Sequence, residues 1–292
     1  MKVKCIDEKS SLFPSNLKML SKCPKQIFVI GDEYILQEFS LAVIGSRKCS
    51  VLGKSIAKDI TTELSLNGII IVSGLARGID TIAHNACIEN KAKTIAVLGG
   101  GHKKIYPKEN LNIVDKILEN GGAVISEYPL EYPPLPKNFR ERNRIIAALS
   151  EGTVLIEAKN NSGSLITIEY ARKLNKKIFV VPGCVDNELY EGSNFVLSEG
   201  AFCIRNAKDL IKKYPNIIYE EKNNCSEKIN VEKELRNVYL AMSYTPKNLE
   251  EICLKSGEET KKVISKLALL EIKGLIKRMD GQNFIKIRQR NI

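Results

Sequence analysis

The sequence has few of the residues that build metal sites. Only two histidines occur among its 292 residues, His84 and His102, and none of its eight cysteines belongs to a C-x-x-C pair. Zinc sites use four such ligands at short spacings, so we expect no bound metal. Because the cysteines are scattered and no signal peptide precedes them, we expect reduced thiols in a cytoplasmic protein.

Long apolar runs and the common nucleotide-binding motifs are also absent from the sequence. No run approaches the roughly 20 apolar residues of a membrane span, so we expect no membrane association. No loop matches G-x-G-x-x-G or G-x-x-x-x-G-K-[ST], which bind dinucleotides and nucleoside triphosphates. Gly99, Gly100 and Gly101 follow the run TIAVL, but a plain turn explains them equally well. The sequence therefore does not support nicotinamide or ATP chemistry, and we expect no cofactor.

The chain has an excess of positive charge. Its formal net charge is +11, which favours an acidic partner, with nucleic acid first. Lysine, isoleucine and asparagine are all abundant, and such a composition gives some basic excess without any partner. The apolar fraction of 43% is enough for a large α/β domain and a small module.

Apolar runs alternate with helical patterns through most of the chain. The strand-like runs lie at 41–45, 69–73, 94–98, 123–126, 153–157 and 177–181. This alternation predicts an α/β fold with a doubly wound, mostly parallel sheet covered by helices. Continuous apolar strands such as KIFVV fit burial on both faces of the sheet.

Three of these strands end in small-residue loops that lead into a helix. The loop residues are Gly45, Ser46 and Arg47; Ser73, Gly74, Arg77 and Gly78; and Ser162, Gly163 and Ser164. Helix N-termini offer unpaired N–H groups and a positive partial charge, and glycine lets the backbone approach a phosphate. For one such loop, a structural turn with a surface arginine is the better explanation. Three loops at the carboxyl edge of one sheet instead predict a phosphate-bearing ligand.

The stretch LPKNFRERNR surrounds one aromatic ring with cations, namely Lys137, Arg140, Arg142 and Arg144. Single-stranded nucleic acid needs this combination, because the charges attract the backbone and the ring of Phe139 can stack on a base. The alternative is that Phe139 packs in the core and the arginines pair with Glu141 or Glu127. Arg142 and Arg144 cannot share a helix face, so we expect one at the site and the other in structural pairs.

Asp80 and His84 are four residues apart and would share a helix face, as the members of an acid/base pair do. We favour a structural interpretation, in which Asp80 caps the helix or fixes Arg77 while His84 packs.

The end of the chain has a different pattern. Residues 214–229 are polar and lack periodicity, which predicts a linker. Residues 230–292 contain three helical patterns and then an Asp280–Gly281 turn between two alternating runs. Three helices and a hairpin are typical of a winged helix. Cations including Arg288 and Arg290 follow, and the pattern leaves open whether this module binds DNA or protein.

The chain contains, in order, GSRKCS, SGLARGIDTIAH, TIAVLGGG followed by IYP, GGAVISEYP, RNRIIAALS, LIEA with SGSLIT, and VVPG. These seven motifs, between about 41 and 211, resemble the DNA-processing protein A family, also called DprA or Smf. One departure is Phe139-Arg140, where the family has Phe-Pro, so the approach to the following helix differs.

The resemblance implies a function as well as a fold. Family members have an extended Rossmann fold, bind single-stranded DNA without catalysis and load the RecA recombinase onto it in natural transformation. It thus implies a Rossmann-like domain at 41–213, an N-terminal extension at 1–40 packed on it, and a homodimer. It also implies that Arg142 and Asn143, in the RNR motif, belong to the DNA site.

A related Rossmann-like group provides the alternative function, the hydrolysis of nucleoside monophosphates. That group uses an arginine and a glutamate beside a Gly-Gly-rich loop, and Glu157 and Glu169 are the candidate glutamates here. The chain has NNSGSLITIEYA where the group's Pro-Gly-Gly-x-Gly-Thr loop would lie. The glycines that grip the phosphate are largely missing, which argues against this enzyme.

Overall fold

The computed structural model describes residues 3–214, 232–242, 247–279 and 283–286. The chain divides into two compact units, Met1–Glu220 and Glu221–Ile292. Residues 215–229 of the expected linker, the Asp280–Gly281 turn, and Arg288 and Arg290 lie outside the described residues.

The larger unit is built on a nine-stranded sheet. Its strands are β1 (Lys4–Asp7), β2 (Gln26–Gly31), β3 (Ser40–Ile44), β4 (Ile70–Ser73), β5 (Thr94–Leu98), β6 (Ala123–Ser126), β7 (Gly152–Leu155), β8 (Lys177–Val180) and β9 (Phe202–Cys203). They lie in the order β1-β2-β6-β5-β4-β3-β7-β8-β9. All neighbours from β6 to β9 are parallel, whereas β1 and β2 are antiparallel to their partners.

Two strands of this sheet, β1 and β2, come from the segment 1–40. We expected an extension packed on the domain, but β2 pairs directly with β6, with Phe28 opposite Ser126. Ile27 and Val29 of β2 are fully buried in the core. The segment therefore contributes two strands that the alternation of strands and helices did not predict.

Helices cover both faces of the sheet. They are α1 (Val51–Leu66), α2 (Ile79–Glu89), α3 (Leu111–Glu119), α4 (Pro136–Leu149), α5 (Ser164–Lys173), α6 (Glu191–Ser198) and α7 (Ala207–Ile211). On β3, Leu41 and Val43 pack in the core with α1, α2 and α7, while Ala42 and Ile44 pack with α4, α5 and α6. Burial on both faces explains the continuous apolar strands and confirms the predicted fold class.

The order of the strands reverses at β3. From β3 the chain adds β4, β5 and β6 on one side, and it returns to add β7, β8 and β9 on the other. In open α/β sheets, ligands bind in the crevice at the carboxyl ends of the strands where this reversal occurs. Here the crevice lies between the loops that follow β3 and β7.

The smaller unit is a winged helix, as predicted. It contains α8 (Lys233–Ala241), β10 (Lys247–Asn248), α9 (Leu249–Ser256), α10 (Thr260–Ile272), β11 (Ile276–Arg278) and β12 (Asn283–Lys286). The strands form a small sheet in the order β10-β12-β11. A capping box between Asn248 and Glu251 starts α9, and Gly257 ends it in the left-handed conformation.

Both histidines are buried in the larger unit. The hydroxyl of Thr94 donates to the carbonyl of Ile71 at 2.6 Å, so it accepts a hydrogen bond from His84 Nδ1 at 2.9 Å. Burial lowers the pKa of His84 to about 3, and it also lowers the pKa of His102. These are packing residues, as we expected for His84.

The buried histidines predict that stability falls in mild acid. Below pH 6.5 the unfolded chain protonates His84 while the folded protein does not, so protons favour unfolding down to a pH near the lowered pKa. From pH 7 to pH 5 this costs about 2 kcal/mol for His84, and the lowered pKa of His102 acts in the same direction. Urea unfolding at both pH values should show this loss, and His84→Gln should reduce it. A wild-type free energy of unfolding that is flat over this range would contradict the prediction.

Candidate functional site

The three predicted loops meet at the strand reversal, because β4, β3 and β7 are neighbours. The amide of Ser46 donates to the carbonyl of Glu157 at 2.7 Å, and the carbonyl of Ser46 accepts from Ile79 N at 3.2 Å. Gly78 has φ +76°, and a Cβ there would lie 2.2 Å from the Ser46 carbonyl oxygen. The loops are therefore joined backbone to backbone, and Gly78 is required for their close approach.

The loop after β4 is bonded internally. Asp80 Oδ2 accepts from the amides of Gly74 at 3.1 Å and Ala76 at 3.4 Å. The buried hydroxyl of Ser73 donates to the carbonyl of Val43 at 2.8 Å. This corrects the expectation that Ser73 and Gly74 present their polar groups to a phosphate, because a carboxylate of the protein already occupies that position.

A second carboxylate occupies the N-terminus of α1. Glu157 is fully buried and accepts from the Ser50 amide at 3.0 Å and the Ser50 hydroxyl at 2.5 Å. Ser50 Oγ in turn accepts from the amide of Gly53 at 2.9 Å. Gly45 serves packing here, because a Cβ on it would lie 2.7 Å from Ile79 Cγ1. The deepest part of the crevice is therefore closed to a phosphate.

Arg142 is buried rather than presented to a ligand. Only 3% of its surface is exposed, and its Nη1 donates to the carbonyls of Gly74 and Val97. Burial lowers its pKa to about 10, partly offset by the nearby Asp80 carboxylate. A Cβ on Gly74 would lie 2.5 Å from Arg142 Nη2 and 2.7 Å from Asp80 Oδ2, so the two charges flank this glycine.

The structure thus corrects the placement of Arg142 at the ligand surface. Arg144 is also buried, and its Nη2 contacts both carboxylate oxygens of Glu127 at 2.5 and 2.6 Å. We expected one of the two arginines to face the site, and neither does. Both side chains are long enough to reach partners at the ends of the strands next to α4.

The loop after β7 is held to α4. Asn143 Nδ2 donates to the carbonyl of Gly163 at 3.1 Å, and the hydroxyls of Ser162 and Ser164 are 2.7 Å apart. Gly163 is exposed, and as the N-cap residue of α5 it has no side chain that could accept a hydrogen bond from the first turn. Asn143 therefore positions this loop, and the loop leaves the N-terminus of α5 at the surface.

Exposed cations and a partly exposed ring belong to the loop after β3 and to the start of α4. Arg47 and Lys137 are exposed, and the Arg47 guanidinium carbon is 5.9 Å from the centre of the half-buried Phe139 ring. Lys137 lies in the first turn of α4, which has no acidic residue and whose cap residue, Leu135, makes no side-chain bond. Arg77 is also exposed, but it makes two hydrogen bonds to Glu109, at 2.6 and 2.8 Å.

Gly99 lies directly against the Phe139 ring. The sequence did not identify this role, because a plain turn explained Gly99 equally well. A Cβ on Gly99 would lie 2.8 Å from Phe139 Cδ1. Gly99→Ala should therefore displace the ring from Arg47 and weaken ligand binding as much as Phe139→Ala does. Gly163→Ala, whose added methyl meets no atom within 4 Å, is the control for stability. Equal binding by folded Gly99→Ala and wild type would show that ring position is unimportant.

Other kinds of site find little support in the described residues. Residues 3–214 and the described parts of the winged helix contain no group of three His, Cys, Asp or Glu side chains placed to hold a metal. No helix in those same ranges is long and apolar enough to cross a membrane. A cavity of about 430 Å³ lies at the opposite edge of the sheet, where Phe39 and Glu151 precede β3 and β7. It is remote from the three loops.

These features define a class of protein: a Rossmann-like α/β domain with a cationic and aromatic surface at its strand reversal, followed by a winged helix. Residues 4–215 match the family DNA recombination-mediator protein A, and residues 227–282 match the DprA winged helix domain. The chain therefore belongs to the DprA/Smf family of DNA-processing proteins, as the motifs indicated.

Individual relatives agree with this assignment. Protein Smf of Escherichia coli is 32% identical over 290 residues, covering 96% of this chain and 76% of that protein. DNA processing protein DprA of Bacillus subtilis is 36% identical over 215 residues, covering 73% of this chain and 72% of that one. The crystal structure of Streptococcus pneumoniae DprA superposes with a TM-score of 0.69 at 37% identity, covering 73% and 75% of the two chains.

A second solved structure is described by the ligand it binds. DNA processing protein A from Helicobacter pylori, reported for its single-stranded DNA binding mode, has a TM-score of 0.66 and 30% identity. The similarity covers 73% of this chain and 95% of that one.

Proposed function

We propose that this protein binds single-stranded DNA at the carboxyl edge of its nine-stranded sheet, without nucleotide hydrolysis. The observation that carries the proposal is the exposed Arg47 guanidinium beside the Phe139 ring, with Lys137 in the first turn of α4. Such a surface supplies positive charge for the phosphates and a ring for stacking on a base. The single-stranded DNA binding reported for the Helicobacter pylori relative supports the same ligand.

The internal carboxylates favour an extended strand over a mononucleotide. Glu157 and Asp80 already accept the hydrogen bonds that a deeply bound phosphate would need. A strand lying across the surface contacts exposed cations instead and does not need those positions. Arg47 and Lys137 are thus the phosphate contacts of the proposed site, whereas Arg77 would have to exchange Glu109 for a phosphate.

The alternative, a nucleoside-monophosphate hydrolase, is disfavoured by the same contacts. Such an enzyme needs a carboxylate exposed to the sugar. Glu157 is fully buried and bonded to Ser50, so it is not available to a sugar. Glu169 is exposed, but it lies in the second turn of α5 and not in the loop where a phosphate would bind. We expect no base release from AMP.

The wider role follows from the family. We infer that the protein forms a homodimer, protects incoming DNA in the cytoplasm and loads RecA onto it during transformation or recombination. A strict monomer by light scattering at micromolar concentration would contradict the dimer. Failure to relieve the inhibition of RecA filament growth by single-strand-binding protein would contradict the loading role.

A salt titration tests the proposed ligand. Binding to single- and double-stranded DNA of equal length is measured by fluorescence anisotropy between low and moderate salt. We expect a preference for the single strand and a steep loss of affinity with salt, because phosphate neutralisation releases counterions. A preference for duplex, or an affinity that does not respond to salt, would refute the proposed function.

A further inference from the structure

A second aromatic ring lies beside Phe139. Tyr106 belongs to the connection between β5 and α3, and 48% of its surface is exposed. Its ring centre is 5.7 Å from that of Phe139, and the two planes meet at 61°. This is the favoured edge-to-face arrangement of two aromatic rings. Phe139 therefore holds Tyr106 in place while leaving much of the Tyr106 ring accessible.

Two arginines lie near the two rings. Arg47 is next to Phe139, at 5.9 Å from its ring centre. Arg77 makes two hydrogen bonds to Glu109, which raise its pKa, and the hydroxyl of Tyr106 adds a smaller contribution in the same direction. Arg47 is thus next to Phe139, and Phe139 is next to Tyr106.

We propose that Tyr106 is a second base-stacking position, so that the DNA strand runs from Arg47 across Phe139 to Tyr106. This inference rests on the proposed function and adds the path of the strand. A half-exposed ring that one neighbouring ring supports is suited to stacking on a base of any sequence. Because the rings are inclined at 61°, the two bases they hold cannot remain stacked on each other.

The proposed path of the DNA strand crosses defined elements of the fold. It leads from the loop after β3, past the N-terminal half of α4, to the connection after β5. It therefore leads away from Ser162, Gly163 and Ser164 in the loop after β7. We expect those three residues to make a smaller contribution to DNA binding than the sequence alone predicts.

The absence of tryptophan from the sequence gives a direct test. Tyr106→Trp introduces the only indole of the protein, and a base stacked on that indole should quench its fluorescence. Oligo(dT) should therefore quench Tyr106→Trp to saturation, in parallel with binding measured by anisotropy of a labelled strand. Tyr34→Trp is the control, because Tyr34 is 65% exposed and precedes β3 at the opposite edge of the sheet.

An oligonucleotide with abasic sites separates stacking from charge. It carries the same phosphates, so it should still bind, but it should not quench Tyr106→Trp. Tyr106→Ala should bind oligo(dT) roughly 5- to 160-fold more weakly than wild type, with an unchanged salt slope, because it removes a ring and no charge. Tyr106→Phe should stay within about twofold of wild type, since the ring is retained.

The outcomes distinguish this proposal from the proposed function. If the wild-type protein does not bind single-stranded DNA, the proposed function fails and the strand path fails with it. If the wild-type protein binds single-stranded DNA, the Tyr106 variants test the second stacking position separately. Tyr106→Ala binding within twofold of wild type, or Tyr106→Trp giving no base-dependent quenching in a folded, binding-competent protein, would overturn the second stacking position.

Discussion

Removing Arg47 and Lys137 together should weaken single-stranded DNA binding about 25-fold at 0.1 M salt, because each phosphate contact on a single strand contributes a salt slope of about 0.7. The slope of log affinity against log salt should become shallower by about 1.4 for the double variant. Both side chains are exposed at the carboxyl edge of the sheet, and neither supports the core. The affinity of Arg47→Ala/Lys137→Ala is measured by anisotropy over a salt series.

The matched control also removes two positive charges, but from a part of the surface away from the three loops. Lys116 and Lys212 are exposed near the C-terminal ends of α3 and α7, away from the three loops. Lys116→Ala/Lys212→Ala should keep the wild-type slope, because long-range effects of exposed charges are largely screened. Phe139→Ala should lower affinity with the wild-type slope, since it removes stacking only. Equal slopes for the wild type and the Arg47/Lys137 variant would exclude this edge as the site.

Arg142→Ala should destabilise the protein by about 3–5 kcal/mol, the usual loss when one partner of a buried charged network is removed. The change removes hydrogen bonds to the carbonyls of Gly74 and Val97 and leaves the buried Asp80 without its compensating charge. Urea unfolding followed by circular dichroism measures the loss. Arg140→Ala, on the exposed side of the same helix, should change stability by less than about 0.5 kcal/mol.

A double variant tests whether Arg142 and Asp80 act together. If they do, Arg142→Met/Asp80→Asn should lose less stability than the sum of the two single changes, because no charge is then left uncompensated. Additive losses would mean that the two residues act independently. An Arg142→Ala variant as stable as Arg140→Ala would show that the buried guanidinium is dispensable.

The fold and the position of the candidate surface could be predicted from the sequence, because both depend on local pattern. Buried parallel strands give continuous apolar runs, and loops after adjacent strands must meet at one edge. Arg47 follows such a strand directly, and Lys137 follows Pro136 at the start of a helix, so their exposure at that edge follows from the pattern. The winged helix was predictable for the same reason, since its helices and alternating runs are contiguous in the chain.

The partners of the buried polar groups could not be predicted. A strand-to-helix turn shows that N–H groups are available, but not that Asp80 or Glu157 accepts from them. Both arginines of the RNR motif are buried, because their lengths allow them to reach carbonyls and carboxylates that are distant in sequence. The strand β2 was missed because it pairs antiparallel and only a short 3-10 helix, Tyr34–Gln37, separates it from β3, a pattern that the alternation of a parallel sheet does not include.

If the protein binds single-stranded DNA at this edge, as proposed, the bonds among the three loops determine which molecule becomes ordered on binding. Ser46 is fixed between Glu157 and Ile79, and Arg142 holds the carbonyl of Gly74, so the protein surface is ordered before DNA arrives. A preorganised surface loses little conformational entropy on binding. The entropic penalty therefore falls on the nucleic acid, whose bases must be separated from their neighbours. Selection among DNA molecules then depends on the free energy needed to unstack their bases. This cost is smallest for a flexible pyrimidine strand, larger for a stacked purine strand and largest for a duplex.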